Sequence, residues 1–158
     1  MRLLVLSDSH GKSSILEDII AKEKDAKHIF FLGDVVRDIE NIVFEFPDRV
    51  FHIVAGNCDY FSEYKTFDIA TVGETKILFT HGHNFYVKSG ENEHLTRFAA
   101  ENGCAIALYG HTHIADISFF GGIITVNPGS VGRSRDGAES YAVIDIENGK
   151  IIPKIIRI

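Results

Sequence analysis

Short apolar runs recur along this chain, and nearly every one stops at a polar cluster rich in Gly, His, Asp or Asn. Leu3 to Leu6 ends at Ser7-Asp8-Ser9-His10-Gly11, and Ile29 to Leu32 ends at Gly33-Asp34. Val50 to Val54 runs into Gly56-Asn57-Cys58-Asp59, and Lys76 to Phe79 into Thr80-His81-Gly82-His83. Ala105 to Tyr109 gives way to Gly110-His111-Thr112-His113, and Ile123 to Val126 to Asn127-Pro128-Gly129-Ser130. Runs this short, rich in Val, Ile, Leu and Phe and bounded by Gly, predict buried strands rather than helices.

Helical spacing appears between the early runs. Ser13 to Lys24 carries Ile15, Leu16, Ile19 and Ile20 on one face, with Ser13 or Ser14 as the expected cap. A second helix is expected over Ile39 to Phe46, stopping before Pro47, and a third from about Glu91 to Asn102, ending at Gly103. Strand and helix alternating through the first third predict parallel pairing with right-handed crossovers. From Ile114 onward the pattern is strands alone: Ala115 to Phe120, Gly122 to Val126, Ser140 to Ile146 and Ile151 to Ile156. Asn148-Gly149 is expected to close the last two into a hairpin. Two sheets packed together and flanked by helices accommodate both halves. No repeat or linker breaks the 158 residues, so one domain over 1–158 is expected.

Composition narrows the function classes. With 45% hydrophobic and 24% charged residues, the chain reads as an ordinary globular protein. A net charge of -6 argues against nucleic acid held through its phosphates. Cys58 and Cys104 imply no disulfide framework, no apolar run is long enough to span a membrane, and the first residues lack a signal-peptide pattern. A cytoplasmic location is therefore expected.

In α/β sheets, ligand sites gather beyond the carboxyl ends of strands, where these polar clusters lie. Asp, His and Asn suit divalent ions such as Mn, Fe, Zn or Ni. Asp8-x-His10 and His111-x-His113 each place two side chains where both reach one ion. Each motif alone has an ordinary explanation as a turn or a solvated loop. Their conjunction at successive strand ends points to a metal centre.

In order, Asp8-Ser9-His10, Gly33-Asp34, Gly56-Asn57-Cys58-Asp59, Thr80-His81-Gly82-His83, Gly110-His111-Thr112-His113 and Asn127-Pro128-Gly129-Ser130 resemble the motifs of the calcineurin-like metallophosphoesterases. Within that family the chain looks like the small single-domain phosphodiesterases of bacteria and archaea, over Leu3 to about Arg135. The resemblance implies a four-layer α-β-β-α sandwich of two mixed sheets flanked by helices. It implies two divalent metal ions, with Mn the first expectation: one held by Asp8, His10 and His113, the other by Asn57, His81 and His111, with Asp34 bridging. A hydroxide shared by the ions would attack phosphorus in line, and Asp34, Asn57 and His81 would be the catalytic residues.

Two departures matter. Cys58 stands where many members of the wider family carry a His thought to aid the leaving group, a change shared by the small phosphodiesterases. Arg37, followed by Asp38, stands where the wider pattern has a second Asp. His83 and Arg133 join Cys58 as candidate substrate contacts, Arg133 through its guanidinium; His28, His52 and His94 are expected to be structural or surface residues. The substrate expected is a small phosphodiester. Phosphomonoesterase or nucleotidase activity is one alternative. A non-catalytic scaffold of the retromer-subunit type, using exposed Phe85, Tyr86, Phe119 and Phe120, is another. Homodimerisation stays open.

Overall fold

The computed structural model describes residues 1–87 and 92–158. Two five-stranded sheets lie face to face. The first contains β1 (Arg2–Leu6), β2 (Ala26–Phe31), β3 (Val50–Ile53), β9 (Ser140–Glu147) and β10 (Lys150–Arg157), in the order β10-β9-β1-β2-β3. The second contains β4 (Phe67–Val72), β5 (Thr75–Thr80), β6 (Ile106–Leu108), β7 (Ala115–Phe120) and β8 (Ile123–Pro128), in the order β4-β5-β6-β8-β7. β1, β2 and β3 pair in parallel, as do β5, β6 and β8. β4 and β7 pair antiparallel at the edges of the second sheet, and β9 and β10 pair antiparallel beside β1 in the first.

Alternation along the strands explains the layering. Leu3 and Val5 of β1 face the other sheet and pack with Phe30, Ile77, Phe79, Ile106 and Val126. Leu4 and Leu6 face outward, where they pack with Leu16, Ile19 and Ile20 of α1 (Ser13–Lys22) and with Ile39 and Ile42. On the far side, Leu78, Ala107 and Tyr109 receive Leu95 and Ala99 of α4 (Glu93–Glu101). Helix, sheet, sheet, helix is the four-layer sandwich expected.

Several details differ from expectation. α1 ends two residues early, and neither Ser13 nor Ser14 caps it. Lys12 occupies that position with no side-chain hydrogen bond, because the helical conformation has already begun at Ser13. The second helix divides into α2 (Arg37–Glu40) and α3 (Ile42–Glu45), although Asn41 between them keeps helical dihedrals. The third helix begins at Glu93; the expected start at Glu91 lies outside the described residues. β4 was not expected, because Asp68 and Thr71 break its apolar residues so that no continuous run forms. Asn148 and Gly149, at φ 50° and 76°, close the β9–β10 hairpin as expected. Among the described residues, no helix is long and apolar enough to cross a membrane.

His28 and His52 are structural, as expected. They face each other across β2 and β3, with His28 Nδ1 3.1 Å from His52 Nε2. His52 also stacks on Phe30, centroid to centroid 4.4 Å. Burial, with the neighbouring His28 adding to it, pushes His52 down to about 4 from the ordinary imidazole value of 6.5. The folded chain thus binds fewer protons than the unfolded chain in this interval, so the stabilisation is complete above pH 6.5 and falls away toward pH 4. His52→Phe is expected to flatten the fall in thermal midpoint across that window, measured by melting curves at stepped pH.

Candidate metal centre

Three parallel strand ends from each sheet meet at one edge of the sandwich, and the polar loops converge there. Asp8 and His10 follow β1, Asp34 follows β2, and Asn57 follows β3. His81 follows β5, and His111 and His113 follow β6. Asp8, Asp34, His81 and His113 are buried, His10 and His111 are half-buried, and Asn57 is exposed at the rim.

The backbone beneath these side chains is unusual. Asp8, His10, Asp34, His111 and His113 have φ of 55°, 44°, 59°, 69° and 60°. Left-handed backbone costs a residue with a Cβ roughly 1–2 kcal/mol, so each turn needs support. Asp59 provides it for Asp34: its carboxylate accepts the N–H groups of Asp34 (2.9 Å), Val35 (2.9 Å), Val36 (2.8 Å) and Gly56 (2.7 Å). Ser130 Oγ donates to the Asp8 carbonyl at 2.8 Å, and Asp38 accepts from Gly11 N and Ser9 Oγ, both at 2.7 Å. Buried Asn127 donates to Gly110 O and Thr112 Oγ1, fixing the loop that carries His111 and His113. Asp59, Asn127 and Ser130 lay within the sequence motifs, and Asp38 beside one, but sequence gave none of them a role. Backbone hydrogen bonding leaves no residue-level pattern by which to assign one. Gly56 is required sterically, since a Cβ there would collide with Asp34 Oδ1.

Asp8, His10, Asp34 and His113 offer ligand atoms that all lie within 4.8 Å of one another. A second group adjoins them. His81 Nε2 lies 3.1 Å from Asn57 Oδ1 and 3.5 Å from Asp34 Oδ1, and the His81 and His111 rings are 5.1 Å apart. Asp34 turns Oδ2 toward His10 Nε2 at 3.8 Å and Oδ1 toward the second group. All seven expected ligands are therefore gathered at one locus.

The hydrogen bonds test whether this donor set fits a cation. His113 Nδ1 donates to Arg133 O at 2.6 Å and His81 Nδ1 to Leu32 O at 2.8 Å, which leaves a bare lone pair on each neutral Nε2. Those lone pairs face acceptors: Asp8 Oδ1 lies 3.1 Å from His113 Nε2, and Asn57 Oδ1 faces His81. Asp8 Oδ1 is buried without a hydrogen-bond partner of its own. Acceptor against acceptor is repulsive unless a proton or a metal ion lies between them. Burial pushes Asp8 upward, but His113, His81 and Ser7 outweigh it and hold Asp8 below the usual carboxylate range, while Asp8 raises His113. The residues fit a divalent cation.

The chain matches the calcineurin-like phosphoesterase superfamily domain over residues 1–149. It belongs to that family. It is 33% identical to the probable metallophosphoesterase YsnB of Bacillus subtilis, over 94% of this chain and 86% of that protein. It is 28% identical to phosphodiesterase YfcE of Escherichia coli K12, over 92% and 88%. A conserved protein from Streptococcus pneumoniae TIGR4, described as a predicted phosphoesterase, superposes with TM-score 0.86 at 30% identity, over 99% of this chain and 88% of that one. Vps29 from Entamoeba histolytica shares the fold at TM-score 0.76 and 19% identity, over 100% and 99%.

The remaining candidates sit around this phosphoesterase centre. Cys58 is exposed at the rim; its N–H donates to Asp34 Oδ1 at 2.9 Å, and burial, with Asp34 beside it, pushes its thiol up to about 11. The His83 ring is 5.5 Å from that of His81, with Nδ1 buried and unpartnered. Arg133 lines the cleft and holds His113 through its carbonyl rather than its guanidinium.

Asp59→Ala strands several part-buried N–H donors, each costing about 1–3 kcal/mol when left unsatisfied. The variant is expected to lose several kcal/mol in denaturant unfolding and to bind Mn about tenfold more weakly by calorimetry.

Proposed function

We propose that this family member is a metal-dependent phosphodiesterase working with two divalent ions, Mn first among them. Asp8, His10 and His113 would hold one ion, Asn57, His81 and His111 the other, with Asp34 between them. The observation that carries the reading is the pair of facing acceptors, Asp8 Oδ1 with His113 Nε2 and Asn57 Oδ1 with His81 Nε2. Bound there, the ions supply activation of water at neutral pH and neutralisation of phosphoryl charge.

The chain's own groups orient and protect that chemistry. Leu32 O and Arg133 O hold the His81 and His113 rings in one tautomer, so no reorganisation is needed when a ligand arrives. The Cys58 N–H fixes one oxygen of Asp34. A thiol, at about 8.5 when free, is a weak acid compared with imidazolium. Departing alkoxide receives little protonation from it, which favours substrates with good leaving groups and diesters over demanding monoesters. The relative named phosphodiesterase supports the same direction.

A second reading, an interaction scaffold, draws on exposed Tyr86, Phe119 and Phe120, 79%, 73% and 63% accessible, and on the fold shared with Vps29; Phe85, expected to be exposed with them, instead packs against the core beside Phe98. Tyr86 lies on the segment after β5, and Phe119 and Phe120 lie on β7.

Metal-stripped protein given Mn, Ni, Zn or Mg is expected to cleave bis-p-nitrophenyl phosphate faster than p-nitrophenyl phosphate. Asp34→Asn and His81→Ala should each lower kcat/KM by roughly 100-fold or more. Faster monoester turnover would make it a monoesterase. No turnover with any ion by folded, metal-binding protein would favour the scaffold.

A further inference from the structure

A second cleft opens beside the metal centre, and Cys58 lines both. Its other wall is a turn carrying Tyr60, Phe61 and Tyr64, which are 82%, 104% and 37% exposed. The turn is braced, with Ser62 N donating to Asp59 O at 3.2 Å and Tyr64 N to Ser62 Oγ at 3.2 Å. Asp59 is also the residue that anchors the Asp34 loop, so the aromatic turn and the metal loop share one support.

Tyr60 and Phe61 belong to none of the apolar clusters among the described residues, so folding gains little from them. Phe61 stands at φ 64°, a conformation a bulky residue adopts at a cost. Exposed aromatic faces beside a phosphoryl-binding centre suit one kind of guest: a flat ring that stacks on them, as bases do on protein aromatics. The charges select further. Arg37 stands against Glu40, Asp59 and Glu63 in the lining, one cation to three carboxylates, an arrangement that repels another phosphate and accepts hydrogen bonds from ring or exocyclic N–H groups. Tyr64 feels the same field, its phenol raised by burial and then by Glu40.

We infer that this cleft receives the neutral base of a nucleoside, so that the natural substrate is a phosphodiester of a nucleoside. The inference rests on the phosphodiesterase reading for its reaction, and on the cleft alone for its ligand. Continuity through Cys58 makes the two clefts one site, phosphorus at the ligand cluster and base at the aromatic turn. A free phosphate or an acyclic glycerol ester leaves the second cleft empty. It therefore forgoes that binding.

The test compares 2′,3′-cyclic AMP with ethylene phosphate, a cyclic diester without a nucleoside, on the Mn-loaded full chain. The Tyr60→Ala/Phe61→Ala double variant alters exposed side chains and should fold. It is expected to lower the ratio of kcat/KM for the nucleoside diester over ethylene phosphate by about 10-fold, chiefly through KM. In parallel, adenosine titrated into metal-free protein should displace the amide resonances of residues 60–64, while ribose should not. Equal losses on both diesters, or adenosine shifts absent from residues 60–64, would overturn the inference. Adenosine shifts at that turn with neither diester hydrolysed would support the base-binding cleft and overturn the phosphodiesterase reading.

Discussion

Five of the seven side chains gathered at the metal centre rise from left-handed backbone, and this constraint organises the surrounding structure. A strand that ends in a left-handed residue turns sharply and presents its side chain over the end of the sheet. The conformation costs any residue with a Cβ, although Asp and His enter it more readily than most. It persists because each turn is tied down by groups that take no part in ligation. Asp59 collects N–H groups from the Asp34 turn, Ser130 holds the Asp8 carbonyl, and Asn127 spans the His111 loop. Strain at a functional site is thus offset by hydrogen bonds around it.

The same architecture sets the electrostatics. Carboxylate, amide and imidazole acceptors point at one another from loops of two different sheets, and the buried seam between β1, β2, β5, β6 and β8 keeps them from drifting apart. Leu32 O and Arg133 O occupy the remaining ring nitrogens, so neither His81 nor His113 can escape the clash by exchanging tautomers without losing a hydrogen bond. The centre is preorganised for positive charge.

A common fold does not decide between hydrolase and scaffold, since a chain described as a predicted phosphoesterase and a Vps29 both superpose on this one. The distinction rests with the side chains at the strand ends. Here Asp8, His10, Asp34 and His113 form a cluster able to hold a metal ion, and the rim adds Cys58. Beside it, aromatic rings are held in water by a turn anchored on Asp59. One residue therefore supports both ends, the Asp34 loop through its carboxylate and the aromatic turn through its main-chain carbonyl.

Periodicity and punctuation made much of this legible in the sequence. Apolar runs that stop at Gly, Asp and His reveal buried strands because a both-faces-covered strand must be apolar throughout, and the polar loops stand out by contrast. β1, β2 and β3 follow from that rule, the β9–β10 hairpin from its Asn-Gly turn, and the seven ligand candidates from the resemblance carried by the polar loops. β4 escaped it because Asp68 and Thr71 break its apolar run, and the α2–α3 break escaped because a one-turn helix leaves no periodicity to read. Residue identity along the chain determined which groups could bind a cation. Only the tertiary structure decided that Asp59, Asn127 and Ser130 hold those groups in place and that Tyr60, Phe61 and Tyr64 share a rim with them, because hydrogen bonds to backbone and adjacency between loops arise from packing two sheets together.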